Sequence, residues 1–196
     1  MKVILGTAHG SNVSGKCSPD KSIREYQWSR EMCQMIKERL DDLGIENEID
    51  IMEPEEISLN ERVRLVNRIC KESKTKCIYV SVHINAAGSD GKWYNASGWT
   101  VYVYNKASQN SKKLALELYN IAEEKKLFGN RSIPKEKYFT ANFAVLRDTT
   151  CPAVLTENFF QDNKKDVEYL LSEKGKKEIC DLHVDGIINF LEKYDL

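Results

Sequence analysis

The sequence predicts a single α/β domain spanning residues 1–196, a three-layer sandwich with a central mixed, twisted sheet flanked by helices. Three observations carry this. Short apolar, β-branched runs alternate along the chain with longer amphipathic segments of helical period. No Pro/Gly/Ser-rich linker, repeat or low-complexity tract divides the 196 residues. Apolar residues make up 41% of the chain, and a chain of this length buries roughly 70% of its unfolded surface, enough for a core.

The elements follow in order. Residues 2–7, with Val3, Ile4 and Leu5, read as a buried first strand. Residues 25–43 read as a helix with Trp28, Met32, Met35, Ile36, Leu40 and Leu43 on one face and Gly44 as its stop. A strand near 46–52 has mixed polarity (Glu46, Glu48 and Asp50), which suits a sheet edge. Ser58 and Glu61 make the capping box S-x-x-E ahead of a helix carrying Val63, Val66, Ile69 and Cys70. Residues 77–82 and 98–104 read as strands, and 108–125 as a helix. Residues 126–142, with Gly129 and Pro134, read as loop. Short strands are expected at 143–147 and 152–156, and helices at 164–172 and 175–193.

Charge and hydropathy exclude several classes. Lys and Arg total 29 against 30 Asp and Glu, a formal charge of −1, so no basic excess favours nucleic acid or an anionic membrane. No apolar run reaches the roughly 18–20 residues of a membrane span. The apolar run at the N-terminus, Val3 to Leu5, is too short for a secretory signal core, so a cytoplasmic chain as synthesised is expected. The cysteines at 17, 33, 70, 77, 151 and 180 include no C-x-x-C pair. They are expected to be reduced thiols rather than a disulfide framework or a cysteine zinc site.

The chemistry-bearing residues gather at element ends. His9 follows the strand 2–7, His83 follows 77–82, the strand 152–156 runs into Glu157, and Glu25 opens the first long helix. In open α/β sheets, sites form outside the carboxyl ends of strands. Two imidazoles and a carboxylate suit catalytic zinc, which takes three N/O ligands and leaves a position for water; a further carboxylate can take up and return a proton. Each residue also has a plainer reading. A histidine after a strand often only hydrogen-bonds, and Glu25 in a first helical turn favours the helix dipole. His183 lies within an amphipathic helix and reads as structural. The stretch from Gly10 to Cys17 approaches a phosphate loop, but Cys17 stands where a magnesium-binding hydroxyl is needed and Pro19 interrupts the required helix. Cys151 has no evident activating partner and reads as a buried thiol.

Taken in order, these segments resemble the zinc-dependent N-acetylmuramoyl-L-alanine amidases, cell-wall hydrolases of bacteria and their phages. The resemblance is carried by Ala8-His9-Gly10, Arg24-Glu25-Tyr26, Leu59-Asn60-Glu61-Arg62 with Asn67, and Ser81-Val82-His83-Ile84-Asn85-Ala86. It continues through Gly98 to Tyr102, Ser111 to Leu118, Val145-Leu146-Arg147, and Pro152 to Glu157 with Phe159 and Asn163. The chain departs from the family pattern in its Gly6-Thr7-Ala8-His9-Gly10-Ser11 opening, in Asn158 after the second acid, and in the Cys17- and Pro19-bearing turn.

The resemblance implies a phosphorylase/hydrolase-like fold and one Zn2+ on His9, Glu25 and His83. It also implies Glu157 as the catalytic general acid/base for hydrolysis of the bond between N-acetylmuramic acid and L-alanine in peptidoglycan. Arg147, ten residues before Glu157 and near an expected strand end, is a candidate for a substrate carboxylate, and Asn85 for orienting substrate or a ligand. Trp93, Tyr94 and Trp99 are candidates for a groove wall. Two other readings share these residues: a muropeptide-binding module without turnover, and a related zinc peptidase acting on another peptide.

Overall fold

The computed structural model describes residues 1–194. Its elements are β1 (Lys2–Thr7), α1 (Glu25–Asp42), β2 (Asn47–Ile49), α2 (Leu59–Glu72), β3 (Cys77–Asn85), β4 (Thr100–Tyr104), α3 (Gln109–Glu124), β5 (Phe139–Ala141), α4 (Ala144–Arg147), β6 (Ala153–Phe160), α5 (Lys164–Leu171) and α6 (Glu173–Lys193). The six strands form one sheet in the order β2-β1-β3-β6-β4-β5. Neighbours pair in parallel except β4 with β6, which are antiparallel. The expected mixed α/β sandwich is the fold observed.

Strand alternation divides the core into two layers. Val3, Leu5, Val80, Val82 and Val154 join the layer containing α1, α3, α5 and α6. Ile4, Tyr79 and Leu155 face the opposite way, onto α2 and α4. Local signals place the helices as the sequence predicts. Gly44 takes φ 69° just past α1, where a residue without Cβ costs least. Ser58 and Glu61 form both hydrogen bonds of the capping box on α2. No helix among the described residues is long and apolar enough to cross a membrane.

The structure corrects four expectations. The segment 143–147 is not a strand: the Phe143 carbonyl accepts from the N–H groups of Leu146 and Arg147, starting the helical turn α4. The loop 126–142 contains β5, three residues paired to the outer edge of β4. The strand expected from residue 98 begins at Thr100. Gly98 has φ 113°, and a Cβ there would lie 1.9 Å from the Phe128 carbonyl oxygen. Finally, β3 and β6 run beyond Val82 and Thr156, so His83 and Glu157 lie within paired strands rather than past their ends.

A buried ion pair ties the sheet to α2 beneath the candidate site. The Asp50 carboxylate accepts from Arg62 Nη1 at 2.8 Å, Tyr79 OH at 3.0 Å and the Thr7 N–H at 2.9 Å. Removing one partner strands a charge away from water. Arg62→Met is therefore expected to lower the unfolding free energy by about 3–5 kcal/mol, measured by urea denaturation.

Candidate metal and catalytic site

β1 ends at Thr7, and His9 follows in the left-handed region at φ 41°. That backbone is held from α1. Arg30 donates to the Ala8 and His9 carbonyls at 3.0 Å each, and the Ser29 hydroxyl accepts from the Ala8 N–H at 2.8 Å. Ser29 also donates to the Val82 carbonyl at 2.6 Å, so one side chain braces the end of β1 against β3 next to His83. Ser29 and Arg30 were not singled out from the sequence. Their signal was two polar residues directly after Trp28 on a helix whose inner face beyond them is apolar.

Glu25 begins α1, and its N–H donates to the Lys16 carbonyl at 3.0 Å. This contact folds the irregular segment before α1 back against the helix. The Glu25 carboxylate is buried between the two histidines. Its Oε1 lies 3.1 Å from His83 Nδ1 and accepts from the Ile84 N–H at 3.1 Å. Its Oε2 lies 3.5 Å from His9 Nε2 and has no hydrogen-bond partner. The donor atoms of His9, Glu25 and His83 all fall within 4.8 Å of one another, and the two imidazoles are perpendicular with centroids 5.4 Å apart. On the far side of the His83 ring, Nε2 and the Ser81 hydroxyl are 3.0 Å apart. Without an ion Nδ1–H donates to Glu25; with a metal bound, donation from Nε2–H to Ser81 would leave the Nδ1 lone pair for the ion.

These donors fit a zinc ion. Zinc bonds of 2.0–2.2 Å to N and O place tetrahedral donors about 3.3 Å apart; each imidazole lies near that distance from its own Glu25 oxygen, at 3.1 and 3.5 Å, within a set spanning at most 4.8 Å. A buried carboxylate oxygen without a partner is costly unless something satisfies it. Burial lowers the His9 pKa to about 4, against the pull of Glu25, which keeps its imidazole neutral and able to donate a lone pair. Burial also opposes ionisation of Glu25, but the His83 hydrogen bond and the nearby His83, His9 and Lys16 outweigh it and hold this carboxyl below its usual range.

Glu157 completes the cluster. In the parallel β3–β6 pair it stands directly beside His83. Its Oε2 is buried without a partner. Burial first, then the negative charge of Glu25, raise its pKa well above the usual range, while Lys16 pulls it down. His9, His83 and Glu157 open onto a cleft of about 550 Å³. Lys16, Arg62 and Arg147 supply positive charge to it, and Leu59, Phe143 and Leu155 supply apolar wall.

The other sequence candidates separate. Arg147 lines the cleft from the end of α4, where Asp148 takes its Nε and Nη2 at 2.7 and 2.6 Å. The Asn85 side chain accepts from the Ala86 N–H at 2.8 Å and is not among the residues lining the cleft. Trp99 is core, Trp93 packs against the core, and Tyr94 bonds to Asp90, so none of the three lines the cleft. Lys16, in the segment that resembles a phosphate loop, and Glu56, Asn142 and Phe143 also line the cleft and were missed as site residues by sequence reasoning.

His183 sits behind Glu157, fully buried. Its Nδ1–H donates to the Ile179 carbonyl at 2.8 Å, and its Nε2 accepts from the Thr156 hydroxyl at 2.9 Å. Thr156 in turn accepts from Asn158, whose amide also donates to the His83 carbonyl at 2.8 Å. The two residues flanking Glu157 are thus tied to α6 and to β3. Burial lowers the His183 pKa to about 4, although its bond to Ile179 opposes this. The unfolded chain, with a histidine pKa near 6.5, therefore takes up a proton first as pH falls. Between pH 7 and pH 5 this residue is expected to remove about 2 kcal/mol of stability, so His183→Gln should lose that much less than wild type over the same range in parallel urea titrations, the contribution of His9 remaining in both.

Comparison with known proteins gives this geometry a family. A family model described as N-acetylmuramoyl-L-alanine amidase (Amidase_3) matches residues 3–189. The chain is 33% identical over 136 residues to the endolysin of Bacillus phage SPP1, a match covering 65% of this chain and 45% of that protein. It is 26% identical over 191 residues to the N-acetylmuramoyl-L-alanine amidase CwlM of Bacillus licheniformis, covering 95% and 67%. The chain thus spans about half to two thirds of the length of these two relatives. Among solved structures, an N-acetylmuramoyl-L-alanine amidase from Clostridium difficile 630 shares the fold. Its TM-score is 0.83 at 23% identity, over 99% of this chain and 98% of that one. With the match running from the first core strand into the last helix, the chain belongs to the Amidase_3 family of N-acetylmuramoyl-L-alanine amidases.

Proposed function

We propose that this chain hydrolyses the amide between N-acetylmuramic acid and L-alanine in peptidoglycan, with one zinc ion held by His9, Glu25 and His83 and with Glu157 as general base and then general acid. The observation that carries this is the convergence of the three donors beside a fourth, protonatable carboxyl at the mouth of one cleft. The chemistry a bound zinc supplies is Lewis-acid polarisation of the amide carbonyl and acidification of water to a pKa near 7.

The chain's own residues do the rest. Glu157 accepts the proton of the attacking water and returns it to the alanine nitrogen as the C–N bond breaks, which leaves the sugar-side carboxylate and a free amine. Burial and Glu25 favour its protonated form, which suits the step that returns the proton, while the positive charge of a bound zinc would favour the carboxylate that first accepts it. Ser81 and the Ser29 brace fix the imidazole of His83 and the backbone just before it ahead of substrate binding. Arg147, at the cleft rim, meets a carboxylate of the stem peptide. Because Asp148 already occupies part of its guanidinium, Arg147→Ala is expected to raise KM several-fold with kcat nearly unchanged.

The experiment is incubation with purified peptidoglycan and one equivalent of zinc, followed by labelling of new amino termini. Release of stem peptides starting with L-alanine supports the reading. Retention of muropeptide without any new amine would assign a binding module, and amines on other residues would assign a peptidase.

A further inference from the structure

Three of the six cysteines meet at the end of the sheet opposite the metal-binding residues. Tyr79 on β3 stands beside Ala153 on β6 in a parallel pair. Two residues earlier on each segment, Cys77 in β3 and Cys151 just ahead of β6 pack on the same face, in one apolar cluster. The Tyr79 N–H donates to the Pro152 carbonyl at 2.8 Å, which fixes the segment entering β6. The last turns of α2 cross this face. Asn67 donates to the Asp148 carbonyl at 2.9 Å and accepts from the Thr150 N–H at 2.8 Å and the Thr150 hydroxyl at 3.1 Å. Cys70 is three residues further along α2 on the same side, and Cys151 is one residue beyond Thr150, so the helix sets one thiol over the other.

The three side chains gather at one corner of the sheet under α2, and both Cys151 and Cys77 influence the titration of the Cys70 thiol. All three pack into the same apolar cluster. Cys70 and Cys151 remain partly exposed, whereas Cys33 and Cys180 are buried in the opposite layer. The contact with Cys151 lowers the Cys70 pKa to about 7 against the effect of burial. The same contact, with burial, pushes the Cys151 thiol well up. The pairing thus favours the thiolate at Cys70 over one at Cys151 and sets a second sulfur beside it.

We propose that Cys70 and Cys151 form a redox-active thiol pair that closes to an intramolecular disulfide on reaction with a low-molecular-weight disulfide, Cys70 being the attacking sulfur. The Cys70 thiolate attacks one sulfur of the reagent. The reagent's S–S bond breaks, a mixed disulfide forms at Cys70, and one thiolate leaves and takes a proton. Cys151 then gives up its proton and attacks the Cys70 sulfur, expelling the second small thiol. Two protein thiols are oxidised and one small disulfide is reduced to two thiols. The bond joins the end of α2 to the segment entering β6. Leu59 and Arg62 of α2 and Arg147 just before that segment line the cleft, so the staple braces one cleft wall without touching a metal-binding residue.

The test treats the reduced full-length protein with oxidised glutathione, followed by alkylation, intact mass and peptide mapping. The expected result is a loss of about 2 Da, a cross-linked peptide pair containing Cys70 and Cys151, and a melting temperature about 5–10 °C above that of the reduced protein. Cys77→Ser still closes the same bond, and Cys70→Ser does not. Wild-type mapping decides the matter even if a variant fails to fold. An unchanged mass, a glutathione adduct that never resolves, or a bond mapped to any other pair would overturn the proposal. Because the readout is covalent structure, it is independent of amidase activity.

Discussion

Glu157→Gln is expected to release stem peptides on the order of 10³-fold more slowly than wild type while still binding one zinc per chain. The amide fills the same volume beside His83 but cannot accept a proton. Since burial and Glu25 already disfavour a charge at this position, the neutral side chain should leave the melting temperature unchanged or raise it slightly. The two readouts separate chemistry from folding. Turnover within tenfold of wild type would remove Glu157 from the mechanism even if the rest of the site stood.

Glu25→Ala is expected to weaken zinc binding by at least about 10²-fold, beyond what loss of an outer hydrogen-bonding partner produces, and to abolish turnover at equimolar zinc. Glu25 is the shared element of the donor cluster, with one oxygen toward each imidazole. Its loss also leaves the buried Ile84 N–H without its acceptor, a cost of about 1–3 kcal/mol that thermal denaturation should register. Competition with a chromophoric chelator measures the affinity directly. Stoichiometric zinc at unchanged affinity in this variant would mean that the ion sits elsewhere.

Much of the site was legible because its residues stand at or near element ends. His9 follows a short apolar strand, Glu25 opens an amphipathic helix, and His83 and Glu157 extend two β-rich runs. Register then does what sequence spacing cannot: it sets His83 beside Glu157, 74 residues apart in the chain. The capping box at Ser58 and the stop at Gly44 were equally readable, since each is a local interaction with a local signal.

What was misread lacked such signals. Val145-Leu146-Arg147 is too short for periodicity to separate strand from helix, and packing of Val145 and Leu146 under α2 decided for a helical turn. β5 is three residues at the outer edge, held by pairing to β4 rather than by any apolar run of its own. Lys16 lies in irregular chain whose one pattern, a near phosphate loop, points to other chemistry, and it enters the cleft because the segment before α1 folds back on Glu25. Trp99 belongs to the core, which its place beside a glycine-bearing loop did not reveal.

Anomalous diffraction at the zinc edge from crystals grown with one equivalent of zinc tests the centre of this account. The expected result is a single strong peak bonded at 2.0–2.2 Å to His9, Glu25 and His83, with the Glu157 carboxyl beside it. A peak at the Cys70, Cys77 and Cys151 thiols instead, or the three donors turned away from one another around no ion, would contradict it.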